Sequence, residues 1–323
     1  MQFRFYPLRF EFIAKDSLYF PPGKAANILR GALGVIFRRI ACVPQCAGAR
    51  VCEMRESCPY ARVFEPAAHD GAAFPKSPSG LADWPRPFVF RARHLDGRTI
   101  APGDRFHFDL NLFSLEPNVL ACFVLTFASI VQEGLGPRRG KAELLQVELL
   151  SAEGVPQQIV YEHSTRTIAA ALSPVSLDLT PCAGAPSKIR VEFLTPTELK
   201  YEDRIAPRPE FPILFGRIRD RVATLSRLYG AGPLDIDYRG TNSRAARITM
   251  TSCRLKRQEI ERRSGRTGQT HSIGGFTGSA EYEGDFTEFL PFVIAAKWTG
   301  VGRQSVWGKG ELAVGPIAPA GCC

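Results

Sequence analysis

The apolar residues of this chain switch between the two-residue period of strands and the helical period in one order: strand, helix, strand, strand, helix, strand. The order occurs twice. Few architectures accommodate that. In the first pass, Phe3–Ile13 reads as a strand, ended before Pro21-Pro22-Gly23. Ala25, Ile28, Leu29, Ala32, Leu33, Ile36 and Ile40 then recur at helical spacing. Pro87–Leu95 and Asp104–Phe113 are the next strands. In the latter, Phe106, Phe108, Leu110 and Leu112 share one face, and Arg105, His107, Asp109 and Asn111 the other. Pro117 opens a helix that runs to Glu133 and stops at Gly134, and Ala142–Leu150 closes the set.

The second pass begins with the strand Lys188–Leu194. Phe211, Leu214, Phe215, Ile218, Val222, Leu225 and Tyr229 form one helical face, and Ala245–Arg257 and His271–Tyr282 are strands. Asp285 and Glu288 resemble a capping box for a helix carrying Phe286, Phe289, Leu290, Val293 and Ile294, and Ser305–Val314 is the last strand. The pattern predicts an α+β chain of two tandem ferredoxin-like domains (βαββαβ, RRM-like), residues 1–186 and 187–323. A cysteine-containing insertion over residues 41–85 interrupts the first.

A net charge of +9 suggests an anionic partner, and its distribution sharpens the point. Ser17–Cys52 holds five basic residues and no acidic one, and Arg239–Arg266 holds nine against two. Such clustering suits a phosphate backbone. Arg254, Lys256 and Arg257 of the second cluster, and Arg138 and Arg139 in the loop after the Pro117 helix, are the expected RNA contacts. The RNP1 aromatics of RRM-type modules are missing, so binding would fall to basic loops. The longest apolar stretch, Val119–Val131, is too short to cross a bilayer, and Met1–Phe12 lacks a secretory apolar run. No membrane partner and a cytoplasmic setting are expected.

Cys42, Cys46, Cys52 and Cys58 lie within seventeen residues. Four thiolates can close a tetrahedral zinc site, or hold an iron–sulfur cluster, although no tight Cys-x-x-Cys knuckle is present. The favoured expectation is structural zinc holding the insertion, and no cofactor for catalysis.

Two glycine-rich stretches flank the last helix: Ile273–Gly284, including Gly274 and Gly275, and Gly300–Gly310. Glycines at this density allow positive φ and close approach of another chain. Gly302, Arg303 and Lys309 would then offer exposed amides beside cations, a combination that favours phosphate. Walker and Rossmann loops fit neither spacing nor order: Gly302 is followed by five residues before Gly308-Lys309-Gly310, and a helix precedes the segment. A tight turn without ligand is the alternative.

These stretches, with Val191–Lys200, Ser226–Gly230, Leu29–Gly34 and Cys58–Pro66, resemble the CRISPR precursor-RNA processing endoribonucleases of the RAMP superfamily. The resemblance spans most of the chain and is most specific over residues 190–314. It implies a protein that binds CRISPR repeat RNA and cuts the precursor into guide RNAs. The reaction is metal-independent: the ribose 2′-hydroxyl attacks the adjacent phosphate and leaves a 2′,3′-cyclic phosphate. It also implies possible subunit partners in an interference complex. A non-catalytic RAMP subunit that only holds guide RNA is the alternative.

Many members of that family use a His, a Tyr and a Lys from the N-terminal half, but Leu18–Ile40 here contains no His. The chemistry needs a proton acceptor, a proton donor and a cation for the phosphorane. His69, in a loop past the cysteines, and His271, at the first glycine-rich strand, are the candidate acid–base groups. Lys24, at the start of the first helix, is the candidate cation, with Tyr19 nearby.

Overall fold

The two passes of the pattern become two sheets. The computed structural model describes residues 1–43, 45–46, 48, 51–66, 84–263 and 270–317. It divides into a unit of residues 4–176 and a unit of residues 177–323 with Met1–Phe3. Among the described residues no helix is long and apolar enough to cross a membrane.

In chain order the N-terminal elements are β1 (Gln2–Ala14), α1 (Ala25–Ala41), α2 (Pro59–Phe64), β2 (Phe88–Arg91), β3 (Arg105–Leu112), α3 (Pro117–Glu133), β4 (Ala142–Leu150) and β5 (Pro156–Glu162). The strands lie in the order β2-β3-β1-β4-β5, with antiparallel pairing of neighbours. Register explains the alternation. Phe10 sits opposite Phe108 and Phe12 opposite Phe106, with ring centroids 5.4 and 5.1 Å apart. Phe127 of α3 closes on Phe10 at 4.7 Å. All five rings are buried, and aromatic pairs at these separations add to the transfer energy of the buried area.

The C-terminal elements are β6 (Lys188–Thr197), α4 (Phe211–Tyr229), α5 (Tyr238–Ala245), β7 (Thr249–Gln258), β8 (Glu261–Arg263), β9 (Thr270–Ser272), β10 (Gly275–Glu283), α6 (Leu290–Thr299) and β11 (Leu312–Pro316). The four-stranded sheet runs β7-β10-β6-β11. In both units the repeat strands lie second, third, first, fourth, which is the ferredoxin-like order. In both, a glycine-rich loop joins the second helix of the repeat to its last strand: residues 134–141 after α3, and 300–311 after α6.

Several local expectations are corrected. Helix α6 starts at Leu290, not at Asp285. Asp285 Oδ1 instead accepts from the Thr287 amide at 2.9 Å, an Asx turn, and Glu288 pairs with Arg244. The last strand starts at Leu312 because Gln304 and Gly308 are left-handed and bracket a 3₁₀ turn, Ser305–Trp307. Residues 270–283 form two strands, broken at Gly274. Helix α5 was not expected at all. It is held by Arg219 of α4, whose guanidinium Nη1 donates to Tyr238 O at 3.1 Å and Asn242 Oδ1 at 2.8 Å.

Candidate functional site

Several arginines among the described residues are neutralised locally. Arg9 donates to both oxygens of Asp109, at 2.8 and 3.0 Å. Arg39 pairs with Glu133 and Arg62 with Glu116. Arg190 pairs with Glu281, Arg244 with Glu288 and Arg303 with Glu198. Such side chains carry little net field outward. Exposed cations without a carboxylate partner are where a polyanion can bind.

One such set lies on β7, an edge strand of the C-terminal sheet. Arg254, Lys256 and Arg257 are exposed, and Arg254 and Lys256 sit opposite Ser279 and Thr277 of β10 rather than opposite acids. Among the described residues none of the three has an ion pair. The strand runs into the β8–β9 hairpin, where Arg262 pairs in register with His271. His271 thus occupies a hairpin that continues the basic edge. An edge strand rich in cations resists pairing with another sheet and offers its charge to a phosphate backbone.

The second set lies in the N-terminal unit. Lys24 is exposed at the start of α1. Arg98 is exposed, and its carbonyl accepts from the Phe20 amide at 2.9 Å. Arg138 is exposed in the loop after α3, with its guanidinium carbon 5.6 Å from the centre of the Tyr19 ring. Arg139 differs from its neighbour. Its Nη2 donates to the carbonyl of Glu133 at 2.9 Å, so it ties the loop to α3.

The C-terminal glycine loop departs from expectation. Lys309 is only 4% exposed. Arg303 Nη1 donates to Glu198 Oε1 at 2.6 Å. The amides are used within the fold: Val301 donates to Gly310 O at 2.9 Å, Arg303 to Glu198 O at 3.1 Å and Gly310 to Pro196 O at 3.1 Å. They are therefore not an exposed phosphate cradle. Gly302 (φ 78°) and Gly310 (φ 68°) are left-handed, and a Cβ there would run into the carbonyl oxygens of Glu198 and Val301. Gly274 and Gly275 likewise lie tight against the backbones of Gln258 and Thr197. These glycines are accounted for by close packing around the end of β6.

His69 falls within residues 67–83, outside the described residues. The structure does bring two other histidines together. The rings of His94 and His107 stack at 4.5 Å, and His94 Nε2 donates to the carbonyl of His107 at 2.8 Å. Burial, followed by the charges of His94 and Arg9, holds His107 below its ordinary value. The strand neighbours of His107 are Glu11 and Asp109, an acidic setting that does not suit RNA. His163 is taken by Glu143 at 2.7 Å.

The cysteines are half-buried and free. Cys42 follows α1 and Cys58 precedes α2. Thiol hydrogen bonds link Cys42 to Cys46 and Cys58, and Cys46 to Cys52. Burial and these neighbours push Cys42 up to about 12. Cys46 is lowered by the Gly48 backbone bond and by Cys42. The contacts form a chain, not a convergent set: among the described residues no group of three or more His, Cys, Asp and Glu could hold a metal ion.

Two ferredoxin-like units, with an unneutralised basic edge in the second, define a class of RNA-handling proteins. Two family models narrow the class. Residues 3–172 match the AF_1859_N model, an N-terminal domain, and residues 191–312 match the CRISPR-associated endoribonuclease Cas6. The C-terminal unit therefore carries a domain of the CRISPR-associated endoribonuclease Cas6, and it follows an N-terminal domain matched by a separate model.

Solved structures agree on the fold. A Thermus thermophilus Cas6 product complex has a TM-score of 0.52 at 16% identity, over 96% of this chain and 99% of that one. A second Cas6 product complex gives 0.51 at 16%, over 98% and 100%. A partial Cas6-RT-Cas1–Cas2 complex gives 0.52 at 11%, over 97% of this chain and 46% of that one. No curated protein matches the chain.

Proposed function

We propose that the chain binds CRISPR repeat RNA and cuts it once, without a metal ion, by attack of a ribose 2′-hydroxyl on the adjacent phosphorus. The P–O2′ bond forms and the P–O5′ bond breaks. The 2′ proton goes to a base and an acid protonates the departing 5′ oxygen, leaving a 2′,3′-cyclic phosphate and a 5′-hydroxyl. The reading rests on one observation above all: Arg254, Lys256 and Arg257 stand exposed on an edge strand and, among the described residues, without an ion pair. Lys24 is the proposed cation for the phosphorane, with His69 or His271 in proton transfer. The guide RNA product would then pass to an interference complex, in the cytoplasm.

Repeat RNA incubated with the protein in chelator tests this. A single cut, abolished by a 2′-deoxy sugar at the cleaved position, is expected. Tight binding without cutting would overturn the mechanism and favour a holding subunit. Alanine at His69, His271 and Lys24 tests the assignment, which fails if all three variants cut at the wild-type rate.

The reading also assigns structural zinc, or an iron–sulfur cluster, to Cys42, Cys46, Cys52 and Cys58. The mutual thiol contacts support it and their chain-like arrangement does not. Metal analysis of anaerobically purified protein decides: a stoichiometric ion is expected, and metal-free protein ends the assignment.

A further inference from the structure

We infer that Tyr19 and Arg138 form a nucleotide subsite on the N-terminal unit, in which one RNA base stacks on the guanidinium of Arg138. The inference rests on the RNA-processing reading and adds a place to it.

The loop is built to hold Arg138 in position. Leu135 N donates to Gly140 O at 2.8 Å and Arg139 N to Gly136 O at 3.1 Å, which closes residues 135–140 into a small hairpin. A Cβ at Gly140 would lie 2.5 Å from Ser17 O, and one at Gly136 would lie 2.9 Å from Tyr19 O, so the loop presses onto the segment that carries Tyr19. Arg139 takes a left-handed φ of 54° and anchors to Glu133. Arg138 is left at the exposed tip, over the Tyr19 ring.

A guanidinium laid on an aromatic ring keeps its other face open, and that face stacks a nucleobase of any identity. The surrounding acids are committed elsewhere. Asp96 Oδ1 accepts from the Ala25 amide at 2.9 Å, and Asp16 Oδ2 from the Lys141 amide at 3.0 Å. Glu133 is paired with Arg39. Tyr19 is itself held in place by pairing in register with Thr99.

The test uses full-length protein and repeat RNA carrying 5-iodouridine, with wild-type cleavage as the internal control. Arg138→Ala is expected to raise Kd about tenfold with an unchanged melting temperature, and to abolish photo-crosslinking to the loop of residues 135–140. Arg138→Lys, which keeps the charge and loses the plane, is expected to recover only part of the affinity. A Kd within twofold of wild type for Arg138→Ala, or full recovery with lysine, overturns the subsite. Wild-type protein that neither binds nor cuts repeat RNA would instead overturn the reading beneath it.

Discussion

Arg303 is joined to Glu198 twice: its amide donates to the backbone carbonyl at 3.1 Å, and its guanidinium to the carboxylate at 2.6 Å. Its charge is thereby spent inside the loop, whereas Arg254 on β7 has no acid opposite it. Each phosphate contact made by an unpaired cation releases counterions and adds about 0.7 to the salt slope for single-stranded RNA. Arg254→Ala should therefore weaken repeat RNA binding and flatten its dependence on salt. Arg303→Ala should leave the slope near wild type. Anisotropy titrations across a salt series check this; an equal loss of slope in both variants would show that the Glu198 pair opens on binding.

Gly310 is a second point where the loop can be questioned. Its φ is 68°, and a Cβ there would strike the Val301 carbonyl oxygen that faces it. A left-handed alanine costs on the order of 1 kcal/mol before any clash. With a backbone atom that has nowhere to move, the total should exceed about 3 kcal/mol. Gly310→Ala is expected to lower the melting temperature by on the order of 10 °C. Gly315→Ala, where a Cβ meets nothing within 4 Å, is the matched control and should change little. A normal melting point for Gly310→Ala would mean that the loop is not packed as described.

What could be read from the sequence was what periodicity carries. Phe106, Phe108, Leu110 and Leu112 alternate in the sequence and face the core in the structure, because a half-buried strand imposes that period. Helix α3 was bounded correctly because Pro117 and Gly134 are punctuation that acts locally. Helix α5 was missed because its sequence, YRGTNSRA, has no apolar face; long-range bonds from Arg219 hold it. The site was less legible for the same reason. Glycine density and positive charge identified residues 300–310, but the pairing of Arg303 with a residue 105 positions away is invisible in a linear reading. Conversely, Tyr19 was noted only as a neighbour of Lys24, since only the folded loop brings Arg138 over its ring.

His107 supplies a pH test of the N-terminal unit. Burial disfavours its charged form, and His94, stacked at 4.5 Å, and Arg9 act in the same direction. Asp109 and Glu11 oppose them without reversing the result. The folded value therefore lies below the ordinary 6.5. For such a group the unfolded chain binds the proton more readily, so stability rises with pH across the window between the two values. The contribution is complete above about 6.5 and is lost as pH falls through the folded value. His107→Gln cannot charge, so it should remove part of the fall in melting temperature that wild type shows between neutral and mildly acidic buffer. His94→Gln, which removes the stacked neighbour, should bring His107 closer to 6.5 and shrink the same fall. Thermal melts of the three proteins across that range, with the His107 ring followed by NMR titration, measure both effects. A wild-type His107 that titrates at or above 6.5 would reverse the sign and discard the account.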